Sequence, residues 1–108
     1  MIDRERLAEL KAEVGEEAFE EILVVFLDEV DEAVGRLTAQ PPTDADSLRA
    51  ELHFLKGSGL NLGLSDFAEL CRLGEERAAQ GQMVDLAPIL DSYRAARAAL
   101  LAHQTGAA

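Results

Sequence analysis

One histidine in this chain has cationic residues at helical spacing on both sides, which suits it to phosphoryl chemistry. Arg49 stands four residues before His53 and Lys56 three residues after it, so in a helix the three side chains share one side. A neutral imidazole near pH 7 carries a nucleophilic nitrogen. A phosphoryl group on that nitrogen would bring about two negative charges, which Lys56 can pair with. His53 is therefore a candidate phosphoryl acceptor, with Arg49 as a supporting cation.

The residue one helical turn after His53 has no side chain. Because helical side chains lean toward the N-terminus, a side chain at position 57 would lie against the imidazole, and Gly57 leaves that space open. A glycine inside a helix lowers its stability by ~1 kcal/mol relative to alanine, so a glycine here needs an explanation. Gly59 has a different reason, because it lies on the apolar seam of the same helix and predicts close packing.

The elements that must position these residues are helices. Apolar residues recur at helical spacing between the breakers of the chain, and no stretch alternates with period two. The sequence predicts a short first helix over Asp3–Val14, with Asp3 as its N-cap, and a second helix over Glu16–Thr38. The predicted N-caps of three further helices are Thr43, Ser65 and Asp85.

The third helix has an apolar seam that determines where His53 points. The seam consists of Leu48, Leu52, Leu55, Gly59 and Leu62. At ~100° per residue, His53 lies roughly 130° from the centre of that seam and should reach water. Four amphipathic helices joined by short connections bury their seams best side by side. We therefore predict an all-α fold, an antiparallel up-down four-helix bundle with a short additional N-terminal helix, as a single domain over residues 1–108.

The composition argues against several classes of partner. The formal net charge of −11 would repel duplex DNA and anionic membranes, so neither nucleic-acid binding nor membrane insertion is expected. Cys71, the one cysteine, lies on an apolar stripe, which indicates a buried, inert thiol and fits a reducing compartment. The charged start of the chain does not resemble a secretory signal. We expect a cytoplasmic monomer.

The segment around His53 also resembles a known family. Residues 53–63, HFLKGSGLNLG, closely resemble the H-x-x-K-G-S/A-S/A-x-x-x-G segment of histidine phosphotransfer (HPt) domains. Residues 64–75 resemble the following helix of the same family. The resemblance covers about Leu48 to Ala78, and the predicted helices agree with the family over the rest of the chain.

The resemblance implies a four-helix bundle with the phosphoacceptor on its second long helix. It also implies a relay between aspartates of response-regulator receiver domains, or from a sensor or hybrid histidine kinase to a receiver. The receiver would supply the aspartate and Mg²⁺, so this chain would need no cofactor and no metal of its own. By position, His53 would be the acceptor, Lys56 the cation on the phosphate side and Gly57 the residue that leaves clearance.

Glu75 is the position at which the sequence departs from the family. Several members have a glutamine there that hydrogen-bonds near the histidine. A carboxylate could hold one ring N–H and keep the other ring nitrogen free, as orienting carboxylates do elsewhere. It would also lie close to a bound phosphate. A solvated glutamate on an acidic surface is an equal alternative.

A helical interaction module that docks on receiver or kinase domains without phosphate is the alternative function. It would use an apolar patch near His53, with Ala50, Phe54 and Leu60 as candidates, and a receiver would dock on the same surface. A di-metal bundle enzyme is rejected, because Ala50 and Leu100 stand where a Glu-x-x-His motif needs its glutamate. Kinase activity is not expected, because the sequence has no G-x-x-x-x-G-K-[ST] loop.

Overall fold

The computed structural model describes residues 2–104, and every regular element in that range is an α-helix. The elements in chain order are α1 (Arg4–Val14), α2 (Glu16–Ala39), α3 (Ala45–Asn61), α4 (Ser65–Ala79) and α5 (Leu86–Gln104). The all-helical class and the order of the helices agree with the prediction from the sequence. No helix in the described range is long and apolar enough to cross a membrane.

The starts of α1 and α3 are capped by aspartate side chains. Asp3 accepts a hydrogen bond from the backbone N–H of Arg6 at 3.1 Å, as predicted. The predicted cap of α3 was wrong by one residue, because Asp44 and not Thr43 accepts the N–H of Ser47, at 2.9 Å. Both residue types can cap a helix, but the charge of Asp44 is also favoured by the helix dipole.

The start of α4 differs from the prediction for a reason of packing. Ser65 was predicted as the N-cap but is the first residue of the helix, and Leu64 occupies the cap position without a side-chain hydrogen bond. The Leu64 side chain is buried in the core, and its carbonyl accepts the N–H of Ala68 at 2.9 Å. Burial of an apolar side chain therefore determines this helix start. At α5 the predicted Asp85 does accept the N–H of Ala87, at 3.1 Å.

The helix that carries His53, α3, packs closely against α4. A Cβ built on Gly59 would lie 3.0 Å from Cδ2 of Phe67, and one built on Gly74 would lie 2.9 Å from Cδ1 of Leu52. Glycine at these positions lets the helices approach each other across a fully buried leucine and a fully buried phenylalanine. The packing role predicted for Gly59 is confirmed.

The first helix is attached to the turn between α3 and α4. The N–H of Asp3 donates to the carbonyl of Gly63 at 2.6 Å. Gly63 has a φ of +74°, and a Cβ there would lie 2.7 Å from the carbonyl oxygen of Asp3, so both its backbone conformation and the contact favour glycine. This turn thereby holds the start of α1 against the end of α3.

A polar network that sequence reasoning missed joins α2 to α5. Asp31 accepts a hydrogen bond from the Tyr93 hydroxyl at 2.5 Å and from Nη2 of Arg97 at 2.9 Å. Burial disfavours the Asp31 charge, but the hydrogen bonds from Arg97 and Tyr93 outweigh it, so the pKa of Asp31 lies below its ordinary value. These residues are far apart in sequence, and the helical repeat within one segment does not indicate which distant residues will be in contact.

We expect Asp31→Asn to lower the free energy of unfolding by ~1 kcal/mol, because the pair is partly exposed to solvent. This loss of stability should have its full size near neutral pH, where Asp31 of the wild-type protein is ionised. It should shrink as the pH falls below the ordinary aspartate range, because a depressed pKa stabilises the fold only while the group is ionised. Urea unfolding measures the effect. Asp91→Asn, which removes a more exposed partner of Arg94, is the matched control, and an equal loss there would contradict the prediction.

Candidate functional site

His53 lies in the middle of α3 and points into solvent. Its side chain is 72 % exposed, whereas Leu52 and Leu55 on the seam of the same helix are fully buried. The apolar seam thus fixes the rotation of α3, and that rotation turns the imidazole outward. His53 is accessible to a docking protein without any rearrangement of the core.

Glu75 of α4 binds the inner edge of the imidazole. Its Oε1 lies 3.0 Å from Nδ1 of His53, and its side chain is only 18 % exposed. Glu75 is therefore not a freely solvated glutamate, and one of the two alternatives for this residue is excluded. An ionised carboxylate only accepts hydrogen bonds, so this contact places the ring proton on Nδ1 and leaves the lone pair on Nε2.

Lys56 binds the other oxygen of the same carboxylate. Its ammonium lies 2.7 Å from Oε2 of Glu75, an oxygen that is enclosed and has no other polar partner among the described residues. The contact departs from ideal hydrogen-bond geometry and is best described as a close ion pair. Lys56 is thus committed to Glu75 in this structure and does not extend free into solvent.

The charges at this site keep Glu75 ionised. Burial raises the pKa of the Glu75 carboxyl, but contacts with Lys56 and then His53 outweigh that effect, and its pKa lies below the ordinary value. The carboxylate is therefore present at neutral pH. Beneath it on the same helix, burial and then the Glu75 charge raise the pKa of the Cys71 thiol to about 12, against a smaller lowering by Lys56, as expected for an inert buried cysteine.

Arg49 lies on the same helix but is not brought into contact with the imidazole. Its side chain is half exposed, and its guanidinium lies 3.8 Å from the carboxylate of Asp46, within the first turns of α3. An exposed ion pair at this distance holds the Arg49 side chain only weakly. Arg49 is therefore available to reorient toward an anion on this face.

Gly57 lies one helical turn after His53, and the space around it is open. A Cβ built there meets no atom within 4 Å, in contrast to Gly59, where Phe67 and Ala68 lie at 3.0 Å and 3.4 Å. Packing explains Gly59 but does not explain why position 57 lacks a side chain. A longer side chain at position 57 would lean back toward His53.

We expect the two glycines to respond oppositely to alanine. Gly57→Ala should raise the free energy of unfolding by up to ~1 kcal/mol through helix propensity, as Gly35→Ala should in the equally open position of α2. At Gly59 the buried Phe67 ring would have to move, at a cost of ~1–3 kcal/mol. Urea midpoints of the three variants test this, and a Gly59→Ala protein as stable as Gly57→Ala would contradict the packing explanation.

The apolar residues expected at a docking surface are exposed. Phe54 is 38 % and Leu60 55 % exposed, and Ala50 is exposed as well. On the helical wheel Leu60 lies close to His53, and Ala50 lies between His53 and Phe54. Together with His53 these side chains form one outward face of α3.

The second histidine, His103, lies outside this face. His103 is half-buried and lines a crevice with Arg4, Lys11 and Phe19, so it is not a fully solvated residue at the end of α5. No group of three or more histidine, cysteine or acidic side chains within residues 2–104 is placed to hold a metal ion.

The model of one protein family, described as the Hpt domain, matches residues 21–104. Comparisons with curated proteins and with solved structures gave no match. The matched range covers most of the chain and includes α3, α4 and every residue of the face around His53. Domains of this family are phosphocarriers that take part in histidine phosphotransfer in two-component phosphorelays, where they interact with receiver domains and kinases. The chain belongs to the Hpt domain family.

Proposed function

We propose that this chain carries a phosphoryl group on Nε2 of His53 between receiver-domain aspartates, or from a hybrid histidine kinase to a receiver. The observation that carries the proposal is the exposed imidazole whose Nδ1 is held by Glu75 at 3.0 Å. This contact leaves Nε2 as the nitrogen with a free lone pair, on a side chain that is largely exposed. Family membership supports the general chemistry, and the geometry supports the choice of atom.

The proposed step needs no proton transfer at the attacking atom. The Nε2 lone pair attacks the phosphorus of an aspartyl phosphate, a P–N bond forms, and the bond between phosphorus and the aspartate oxygen breaks with its electron pair. The leaving group is a carboxylate. The imidazole ring becomes positively charged, and its Nδ1 proton stays in the hydrogen bond to Glu75 Oε1. The negative charge of Glu75 stabilises the ring cation as it forms.

In this proposal Lys56, Arg49 and Gly57 support the acceptor. Lys56 compensates the buried Glu75 oxygen, so that the incoming phosphate does not meet an unpaired negative charge. Arg49, which is held only loosely by Asp46, supplies a mobile cation for the phosphoryl oxygens. Gly57 leaves the approach to the imidazole clear.

The docking partner in this proposal is a receiver domain that meets the face of α3. Ala50, Phe54 and Leu60 provide apolar contacts around His53. The scaffold is proposed to be the antiparallel four-helix bundle of α2–α5, with the chain as a monomer. The order of contacts along α3 and α4 supports this arrangement, because Gly59 faces the start of α4 and Leu52 faces Gly74 near its end.

Incubation with a phosphorylated receiver domain tests the proposal. We expect label to move to this chain and to be lost in acid but retained in base, as for a phosphoramidate and unlike an acyl phosphate. Peptide mapping should place it on His53. A chain that binds the receiver but takes up no label would instead be an interaction module and would overturn the proposal.

A further inference from the structure

A crevice between α1, the start of α2 and the end of α5 is lined by basic side chains. Its volume is about 200 Å³, and none of the residues that the structure describes in α3 or α4 lines it. No acidic side chain within residues 2–104 lines it either, although the chain has 21 acidic residues and a net charge of −11. The crevice is therefore a local basic site, separate from the face of α3 that carries His53. Its lining residues are Arg4, Leu7, Ala8, Lys11, Phe19 and His103.

The two cations of this crevice differ from most others in the chain, because they have no carboxylate partner. Within the described part of the chain, neither Arg4 nor Lys11 forms an ion pair. Arg77 has no carboxylate partner there either, but it donates to the carbonyl of Met83 at 3.0 Å. Most of the ten lysine and arginine side chains do pair with aspartate or glutamate, namely Arg6, Arg36, Arg49, Lys56, Arg72, Arg94 and Arg97.

Arg4 and Lys11 lie on one face of α1, about two helical turns apart. No acidic residue of α1 stands three or four positions from either of them, and Glu9 and Glu13 project on the opposite side of the helix. Arg4 is also the first residue of α1, where the positive end of the helix dipole disfavours a cation. Neither an ion pair nor the dipole stabilises the Arg4 charge, whereas an anion in the crevice would.

Lys11 is held over an aromatic ring. Its ammonium lies 5.2 Å from the centroid of the Phe19 ring, within the range of a cation–π contact. Phe19 is fully buried, so the contact fixes the ammonium at the wall of the crevice. An ammonium has three N–H donors, and the ring engages only one side of it. The remaining donors can bind an anion without loss of the contact with Phe19.

We propose that this crevice binds a doubly charged phosphate group, either inorganic phosphate or the phosphate of a small monoester, without a covalent bond. The guanidinium of Arg4 suits bidentate binding of such a group, and two positive charges balance its two negative charges. The His103 ring offers an N–H donor whether it is protonated or neutral. The crevice is smaller than the sites of about 300–1,000 Å³ that hold drug-sized ligands, which favours a single anionic group.

Proton NMR of the two histidine rings tests the proposal, because one ring reports on the crevice and the other on the face of α3. The protein is titrated at constant ionic strength and about pH 8, where a phosphate group carries close to two charges. We expect the His103 signals to shift and saturate with inorganic phosphate or methyl phosphate, with a Kd on the order of millimolar. The tighter of these two probes identifies the source of the group.

Two outcomes of this titration would overturn the proposal. Acetate carries one charge and should bind at least roughly fivefold more weakly than phosphate, so equal or tighter binding of acetate would contradict a site for a doubly charged group. A shift without saturation, or one midpoint shared by the His103 and His53 signals, would mean that phosphate acts on the protein as a whole.

Variants of the two cations complete the test. Arg4→Gln and Lys11→Met should each weaken phosphate binding roughly fivefold, the upper end of what an exposed ion pair contributes. Arg4 is exposed, so Arg4→Gln keeps the test valid if Lys11→Met disturbs the packing on Phe19.

Arg77→Gln is the matched control, because Arg77 also lacks a carboxylate partner among the described residues but lies outside the crevice. Its Kd should equal that of the wild type. Unchanged binding in Arg4→Gln, or equal weakening in Arg77→Gln, would overturn the proposal. The titration involves no phosphoryl transfer, so failure to exchange phosphate with a receiver would count against the proposed function alone.

Discussion

His53→Gln is expected to abolish phosphoryl acceptance and leave the fold intact. The side chain is 72 % exposed and takes no part in the apolar seam, so its replacement should change the free energy of unfolding by no more than ~1 kcal/mol. Glutamine has an amide at this position and no nucleophilic nitrogen. The measurement is label uptake from a phosphorylated receiver, beside a urea unfolding curve of the same preparation.

The control for this prediction is the second histidine. His103→Gln should accept label at the wild-type rate, because His103 lies in the crevice formed with Arg4 and Lys11, away from the face of α3. If His53→Gln still acquired acid-labile label, the acceptor assignment would be wrong. An unfolded His53→Gln protein would mean that the residue contributes to the core, contrary to its exposure.

Gly57→Leu is expected to have the second largest effect on transfer. The transfer rate should fall by at least two orders of magnitude, which is the typical cost when two reacting groups are held slightly out of position. Leucine at position 57 leans toward the residue one turn earlier, which is His53. Its Cβ meets no atom within 4 Å, so the fold has room for the substitution. Stability should rise by up to ~1 kcal/mol, because leucine is a better helix former than glycine.

Gly35 provides a matched control for that substitution. It lies in α2, is exposed, and also has no atom within 4 Å of a built Cβ. Gly35→Leu should therefore give a similar gain in stability with unchanged transfer. Wild-type transfer rates in Gly57→Leu would remove the clearance role, whereas equal losses in both variants would point to a general effect of leucine on these helices.

Gly57→Ala lies between these cases and refines the clearance role. Alanine adds only the Cβ, for which the structure shows open space. We therefore expect this variant to retain most of its transfer rate, so the loss should follow the length of the side chain at position 57. A longer side chain at position 57 should hinder the approach of a receiver domain to His53 before it disturbs the fold.

The local features of the chain were predictable because they depend on residues close in sequence. The helical repeat predicted five helices, and the seam of α3 predicted that His53 would point outward. The first residue of a helix was harder to predict where neighbouring residues can both cap it or where core packing contributes. Asp44 prevailed over its neighbour Thr43, and burial of Leu64 determined the start of α4.

The all-helical class, the outward direction of His53 and the open position at Gly57 could be predicted from the amino-acid sequence, because each depends on residue spacing along a helix. Two sets of contacts became visible only in the folded protein. One carboxylate of α4 binds both His53 and Lys56 of α3. Asp31 of α2 binds Tyr93 and Arg97 of α5. These contacts depend on how helices rotate and approach each other in the core, and no periodicity along a single helix contains that information.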